Sequence, residues 1–314
     1  MSKGFIKKTI ITLCIGVITI IGITGCNKED KIEVIKKEDK QSGTRIIPTE
    51  MGEVEVPESP KRVLVQYVIG DVLALGIEPV GISEVYDGAA FEELIKDIPS
   101  VGHPYDWKPE NVMKLEPDLI LSISKDDYDS FSKIAPTVYV PYDTLSMEER
   151  VRLVGKALNR EEEAEKVLNN YYEELEKAKT KLENAGIYKK TVSMVEGGLN
   201  QMIVMGQKHG AGTILYAVLS LNPPESVRDN VINKELFSES ISFEVLPEYC
   251  GDYLIRSSYE GMDDLSKNEI WTSIPAIKNN KFIEMDFGLS YYTDIYSTKY
   301  QIDYIVNSLL EVTK

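Results

Sequence analysis

One stretch restricts this chain more than any other. Residues 146–185 contain no proline, a single glycine (Gly155) and a dense mix of Glu and Lys. Apolar residues recur at Val151, Val154, Leu158, Ala164, Val167, Leu168, Tyr171 and Leu175. This spacing predicts one long amphipathic helix, because residues three and four apart share a face. Ser146 suits the N-cap, Glu149 three residues on completes a capping box, and Gly186 supplies the stop. The apolar positions keep no strict heptad, which disfavours a coiled-coil arm.

Short apolar runs alternate with helical patterns on both sides of this helix. Before it, a hairpin over 45–56 turns at Met51-Gly52 and ends at Pro57 and Pro60. A strand over 62–66, a short helix over 71–75, and strands after Gly81 and over 119–122 and 137–140 follow. After it come strands over 191–195, 203–205 and 253–255, with helices over 213–221 and 298–312. Such alternation builds parallel sheets from βα units. The expected fold class is α/β: two α/β lobes (45–145 and 187–314), each with a central, mostly parallel sheet, joined by one long helix over 146–186.

The first 26 residues carry a separate message. Lys3, Lys7 and Lys8 precede an uncharged apolar run over 10–23, and Ile23-Thr24-Gly25-Cys26 closes it. The run is too short for a typical spanning helix and reads as an export signal over 1–25. Its end resembles the lipobox of bacterial lipoproteins, which implies cleavage before Cys26 and lipid attachment to it. An uncleaved N-terminal anchor is the alternative. On either reading the body works outside the cytoplasm, held at the cell membrane by its N-terminus, with 26–44 as a charged, flexible tether.

Composition narrows the function classes. The net charge is −16, and removing Lys3, Lys7 and Lys8 with the signal takes it to −19. Nucleic acid is therefore an unsuitable partner. After cleavage Cys250 is the one cysteine left in the body, so no intramolecular disulfide forms, and a small packed residue is the simplest role for it. No Gly-x-Ser-x-Gly elbow, His-Glu-x-x-His or Walker loop occurs. The Gly210-x-Gly212 pair holds two of three dinucleotide-fingerprint glycines, so an exported enzyme ranks last.

An internal echo links the two lobes. Glu110 lies eight residues before Asp118, which precedes the strand Leu119-Ile120-Leu121. Glu244 lies eight residues before Asp252, which precedes Tyr253-Leu254-Ile255. An acid near a helix start is favoured by the dipole alone. Two at matching places in separate lobes point to a shared role on one outer surface.

Together these segments resemble the substrate-binding lipoproteins of ABC importers for iron–siderophores, haem and cobalamin. The matching pieces are Pro60-Lys61-Arg62-Val63, Leu75-Gly76-Ile77-Glu78-Pro79-Val80-Gly81, Glu110 through Ile120, Ile134-Ala135-Pro136, the long helix and Gly251-Asp252-Tyr253-Leu254. Within the family, residues 210–216 and 287–294 look most like ferric-hydroxamate binders. The resemblance implies a ligand held between the lobes and no resident cofactor. It also implies a monomer that docks onto permease subunits, with Glu110 and Glu244 as the docking acids. Loops following the strands are the usual ligand-binding places in open α/β sheets. Tyr67, Tyr86, Tyr105 and Trp107 from the first lobe, and His209, Tyr259, Tyr291 and Tyr292 from the second, are the candidate ligand contacts. Eighteen Tyr against seven Phe favours walls that also hydrogen-bond. One departure stands out: relatives that bind hydroxamates carry an Arg just before the glycine-rich turn, where this chain has Lys208-His209-Gly210-Ala211-Gly212, with alanine at the Arg position. A haem receptor with His209 and Tyr105 as iron ligands is the alternative that this departure keeps open.

Overall fold

A computed structural model describes residues 43–208 and 210–313. The signal over 1–25, Cys26, most of the tether and His209 lie outside the described residues. The described chain opens with an antiparallel hairpin, β1 (Thr44–Thr49) and β2 (Gly52–Pro57). The first lobe then lays down β3 (Val63–Val65), β4 (Gly81–Ile82), β5 (Leu119–Ser122) and β6 (Thr137–Tyr139). These pair in the order β4-β3-β5-β6, every pair parallel. All the residues of β3 and β5 are buried, as sheets covered on both faces require.

The second lobe contains β7 (Val192–Gly197), β8 (Met202–Met205), β9 (Ser238–Ile241), β10 (Tyr253–Ser258) and β11 (Phe282–Asp286). Their order is β11-β10-β7-β8-β9. β11, β10 and β7 run parallel, while β8 and β9 are antiparallel additions at one edge. Both lobes lie within one compact unit, residues 41–314.

The echo has a structural cause in each lobe. Asp118 accepts hydrogen bonds from the backbone N–H groups of Lys61 (2.7 Å) and Arg62 (2.9 Å), clamping the start of β3 to that of β5. Asp252 accepts from the N–H (2.9 Å) and Oγ1 (3.1 Å) of Thr191, clamping β7 to β10 in the same way. The aspartates of the repeat thus serve the sheets. Glu110 and Glu244 remain exposed, on the helix Pro109–Lys114 and the turn Phe243–Val245.

The expected single helix over 146–186 is two. A first helix, Met147–Leu158, starts with the Ser146/Glu149 capping box. A second, Glu161–Asn184, runs 24 residues and is the long helix of the molecule. Asn159 ends the first in the left-handed region at φ 55°, a conformation asparagine tolerates better than most residues. Tertiary contacts hold the break. Arg45 donates to the carbonyls of Lys156 (2.8 Å) and Ala157 (3.3 Å), and Asn159 Nδ2 donates to the Glu58 carbonyl (3.1 Å). These partners lie more than a hundred residues away, beyond the reach of a local periodicity argument. Gly186, at φ 72°, stops the long helix as expected.

The long helix buries Ala164, Leu168, Tyr171, Leu175, Ala178 and Leu182, and it packs against the final helix, Ile295–Thr313. The lobes meet across the helix Ile69–Ala74, whose Asp71 is fully buried. Arg150 Nε donates to Asp71 Oδ2 at 2.6 Å, and the Ile295 N–H donates to Asp71 Oδ1 at 2.9 Å. A second Arg150 nitrogen donates to the Thr293 carbonyl at 2.8 Å. First lobe, connecting helix and second lobe are thereby tied through one carboxylate. Arg150→Ala leaves that carboxylate buried without its countercharge, and is expected to cost about 3–5 kcal/mol of unfolding free energy. Denaturant unfolding measures this. A loss under about 1 kcal/mol would show that the pair does not hold the lobes together.

Candidate functional site

The loops leaving the sheets converge between the lobes. The β3 strand ends at buried Gln66, whose Oε1 accepts from Ser122 Oγ (2.6 Å) and the Ile123 N–H (2.9 Å). Its Nε2 donates to the Pro104 carbonyl. One side chain therefore sets the loops after β3 and β5 and the 103–105 loop. The next residue, Tyr67, sits at φ 69° within a γ-turn closed by the Val68 N–H on the Gln66 carbonyl. This conformation is costly for a tyrosine, so the surroundings must enforce it. Ser83 Oγ, accepting the Tyr67 N–H at 3.0 Å, is part of that enforcement.

From the second lobe, the helix Phe287–Tyr291 brings Tyr291 and Tyr292 to the same place. Buried Gln301 donates to the Leu289 and Tyr292 carbonyls, both at 2.6 Å, and fixes this segment on the final helix. The lobes approach very closely here. A Cβ on Gly288 would lie 2.0 Å from the Asp87 carbonyl oxygen, so glycine is required. Directly across the gap, the Tyr86 N–H donates to Tyr292 Oη at 3.0 Å.

The result is a cavity of about 160 Å³ lined by Tyr67, Tyr86, Tyr105, Tyr291 and Tyr292, together with Glu84, Val85, His103 and Pro104. The rings meet edge to face: Tyr67 on Tyr142 at 4.7 Å, Tyr86 on Tyr291 at 4.7 Å, and Tyr291 on Tyr292 at 5.1 Å. Burial raises the phenol pKa values of Tyr67, Tyr86, Tyr105 and Tyr292 above the ordinary tyrosine value. At neutral pH these side chains are therefore uncharged hydrogen-bonding phenols on an aromatic wall.

Five of the eight sequence-predicted contacts thus share one cavity. Tyr259 stands beside it, 57% exposed, and its ring lies 6.0 Å from Phe287, which in turn lies 4.9 Å from Tyr86. Trp107 requires correction. It is only 4% exposed, packs against Phe131, and donates Nε1–H to the Gly102 carbonyl at 3.1 Å. Its role is to support the 102–105 loop from within the first-lobe core, not to face the cleft. Tyr142 and Phe287 were missed. Tyr142 precedes the long-helix region in a proline-flanked loop, and only the fold brings its ring against Tyr67. Its hydroxyl shares a 2.7 Å hydrogen bond with Thr293 Oγ1, again across the lobes.

The glycine-rich turn also has a packing explanation. Gly210, at φ 47°, leaves no room for a Cβ, which would lie 2.6 Å from the Ser290 carbonyl oxygen. A Cβ on Gly212 would lie 2.2 Å from the Gly206 carbonyl oxygen. Lys208 pairs with Glu235 at 3.2 Å, and Ala211 is buried. Cys250 is half-buried, donates to the Leu246 carbonyl, and has its thiol pushed up to about 12 by burial, which suits packing and not nucleophilic chemistry.

Comparison with known proteins gives a consistent picture. Residues 63–289 match the periplasmic binding protein family. The chain is 29% identical to the Iron(3+)-hydroxamate-binding protein YxeB of Bacillus subtilis, over 97% of this chain and 98% of that one. It is 30% identical to the Iron(3+)-hydroxamate-binding protein FhuD of the same organism, over 92% and 94% of the two chains. Among solved structures, it resembles an FhuD-fold periplasmic binding protein component of a Fep/Fec-like ferrichrome ABC transporter from Bacillus subtilis. The TM-score is 0.75 and the identity 30%, covering 84% of this chain and all of that one.

Beneath the cavity, Asp294 has a titration that the fold makes visible. It is buried, accepts from the Ser297 N–H and Oγ at 2.8 Å each, and is pushed up to about 6 by burial and by the nearby Asp71 charge. An acid whose pKa is raised in the folded state binds protons more tightly there than in the unfolded chain. Its unfavourable contribution is absent below the unfolded value, grows as pH rises between about 4 and 6, and is complete above that. Relative to Asp294→Asn, the native protein should therefore gain on the order of 2–3 kcal/mol between pH 7 and pH 4. Denaturant unfolding of both proteins at the two pH values measures the difference. A gap that does not change with pH would refute it.

Proposed function

Because the chain belongs to the periplasmic binding protein family, we propose that its tyrosine-lined cleft captures a ferric siderophore of the hydroxamate class and presents it to the permease of an ABC importer. The observation that carries this reading is the shared aromatic wall. A ferric trihydroxamate is a coordinatively saturated chelate with an apolar, partly hydrogen-bonding exterior. Neutral phenols from both lobes match such a surface: they bury area and offer O–H groups without needing to reach the metal. Relatives named for iron-hydroxamate binding over nearly the whole chain support the same ligand class.

The haem alternative draws less support. Tyr105 would have to ligate iron as a phenolate, and burial together with the Asp143 charge holds its proton more firmly than usual. Alanine at residue 211 leaves the iron-bound oxygens to the tyrosines, and to whatever Lys208 contributes from outside its pair with Glu235.

On this reading the protein binds and delivers without turnover. It is tethered at the extracytoplasmic face through lipid on Cys26 and acts as a monomer. Glu110 and Glu244 dock the two lobes onto basic pockets of the permease. Glu244 is kept ionised by hydrogen bonds from its own N–H and the Ser242 side chain. Exposed acids a domain apart orient a stiff body and speed encounter more than they add affinity. The long helix makes a stiff hinge, so capture is expected to involve little lobe motion.

Two experiments test this. In a fluorescence and absorption titration of the purified chain, a ferric trihydroxamate should quench tyrosine and tryptophan emission saturably, while haemin shows no Soret shift. A Soret shift lost in His209→Ala would replace the siderophore with haem. Separately, Glu110→Ala with Glu244→Ala should reduce cellular uptake to background and leave ligand affinity within about twofold. Loss of binding in that double variant would remove the docking assignment.

A further inference from the structure

A site that is built before its ligand arrives depends on residues behind its wall. Gln66 is fully buried and does not line the tyrosine cavity. Its side-chain amide meets a backbone N–H at one end, that of Ile123 at 2.9 Å, and the Pro104 carbonyl at the other. An N–H only donates and a carbonyl only accepts, so this position needs one acceptor and one donor on a planar group. Glutamine supplies both without a charge. Methionine, of similar length, offers no donor.

Each end of Gln66 places a cavity residue. Its amide donor holds the 103–106 turn through buried Pro104. Within that turn the Asp106 N–H donates to the His103 carbonyl (2.9 Å), and the Tyr105 N–H to His103 Nδ1 (3.4 Å). His103, Pro104 and Tyr105 all line the cavity. The Gln66 backbone carbonyl accepts the Val68 N–H (2.9 Å) and so closes the γ-turn at Tyr67. Two of the five cavity tyrosines, from different loops, thus take their places from one residue.

The segment carrying Glu110 is held by other means. Trp107 and fully buried Val112 belong with Phe131 to a core cluster of their own. They anchor the helix Pro109–Lys114 just beyond the turn that Gln66 holds.

We propose that Gln66 is a positioning residue for ligand capture: its amide sets the affinity of the cavity through Tyr67 and Tyr105, and Trp107 isolates the Glu110 helix from that effect. That the ligand is a ferric hydroxamate and Glu110 a docking acid rests on the function proposed above. The positioning is separable from it.

The test uses the full chain in detergent with a ferric trihydroxamate as probe. Variants are compared at the same pH, because His103 and Glu84 line the cavity in all of them. Gln66→Met should bind about tenfold more weakly than the unaltered protein, since the ligand must then order the turn itself. At about pH 5 Gln66→Glu should bind within roughly threefold of the unaltered protein, because burial keeps its carboxyl protonated and the O–H replaces the amide donor. Its affinity should fall toward that of Gln66→Met as the carboxyl ionises against the Pro104 carbonyl. Gln66→Met binding as tightly as the unaltered protein, or Gln66→Glu binding no more tightly than Gln66→Met in acid, would overturn the proposal. Where Gln66→Met does not fold, Ser122→Ala takes its place, freeing the amide oxygen at one contact. It should weaken binding about threefold, and unchanged binding would again overturn the proposal.

Amide exchange read by mass spectrometry separates positioning from a general loss of stability. In Gln66→Met the peptide over 102–106 should exchange about tenfold faster, and the peptide over 109–114 at its original rate. Equal acceleration of both would make Gln66 a stability residue and end the proposal. If no chelate binds the unaltered protein but this exchange pattern appears, the positioning stands and the siderophore reading falls.

Discussion

The buried carboxylate of Asp71 is the constraint on which the arrangement of this molecule depends. It belongs to the first lobe, its cationic partner Arg150 to the first of the connecting helices, and its other donor, the Ile295 N–H, to the second lobe. A pair this deeply buried adds little net stability over a well-packed apolar substitute. Its consequence is directional: three segments distant in sequence must meet in one orientation, or a charge is left without a partner. Gly70 belongs to the same device, because a Cβ there would lie 1.8 Å from Asp294 Oδ1. With the lobes set in this way, the loop carrying Tyr86 faces the segment carrying Tyr291 and Tyr292, and together they wall one cavity.

Around that junction, each loop of the site is pinned by a buried amide or a close backbone contact. Gln66 gathers three loops of the first lobe, and Gln301 anchors the tyrosine pair of the second. Gly288 and Gly210 allow backbones to touch where any side chain would hold them apart. The aromatic wall is therefore preorganised, which reduces the ordering cost of taking up a ligand. The strain at Tyr67 has the same meaning, since a γ-turn at a tyrosine persists only where its neighbours over-determine it.

The repeat of Glu and Asp in the two lobes joins one pair with a task in the sheets to another pair without one. Asp118 and Asp252 each tie the first strand of a parallel pair to the second, a structural task that follows from unpaired N–H groups at strand starts. Glu110 and Glu244, eight residues earlier, are exposed and free of any such duty to the sheets. Spacing alone does not tell the two pairs apart. Hydrogen-bond partners do.

Local pattern was sufficient to identify most elements: the capping box at Ser146, the stop at Gly186, and strands whose apolar runs were as continuous as two-sided burial demands. It also picked out five tyrosines that line one cavity, on loops of the kind that bind ligands in α/β sheets. Local pattern went wrong where distant partners intervened. The break at Asn159 depends on Arg45 and Glu58, and helix periodicity runs through it unaltered. Trp107 and Tyr105 lie two residues apart in one loop, yet one is a core residue and the other a rim residue. A loop has no periodicity from which to read which way a ring points. By itself, then, the sequence determined the two α/β lobes, the helical connection and the excess of tyrosine over phenylalanine, because those rest on periodicity, capping and composition. Only the tertiary structure decided which tyrosines form one cavity, because that depends on side chains more than two hundred residues apart meeting across a lobe junction set by one buried ion pair.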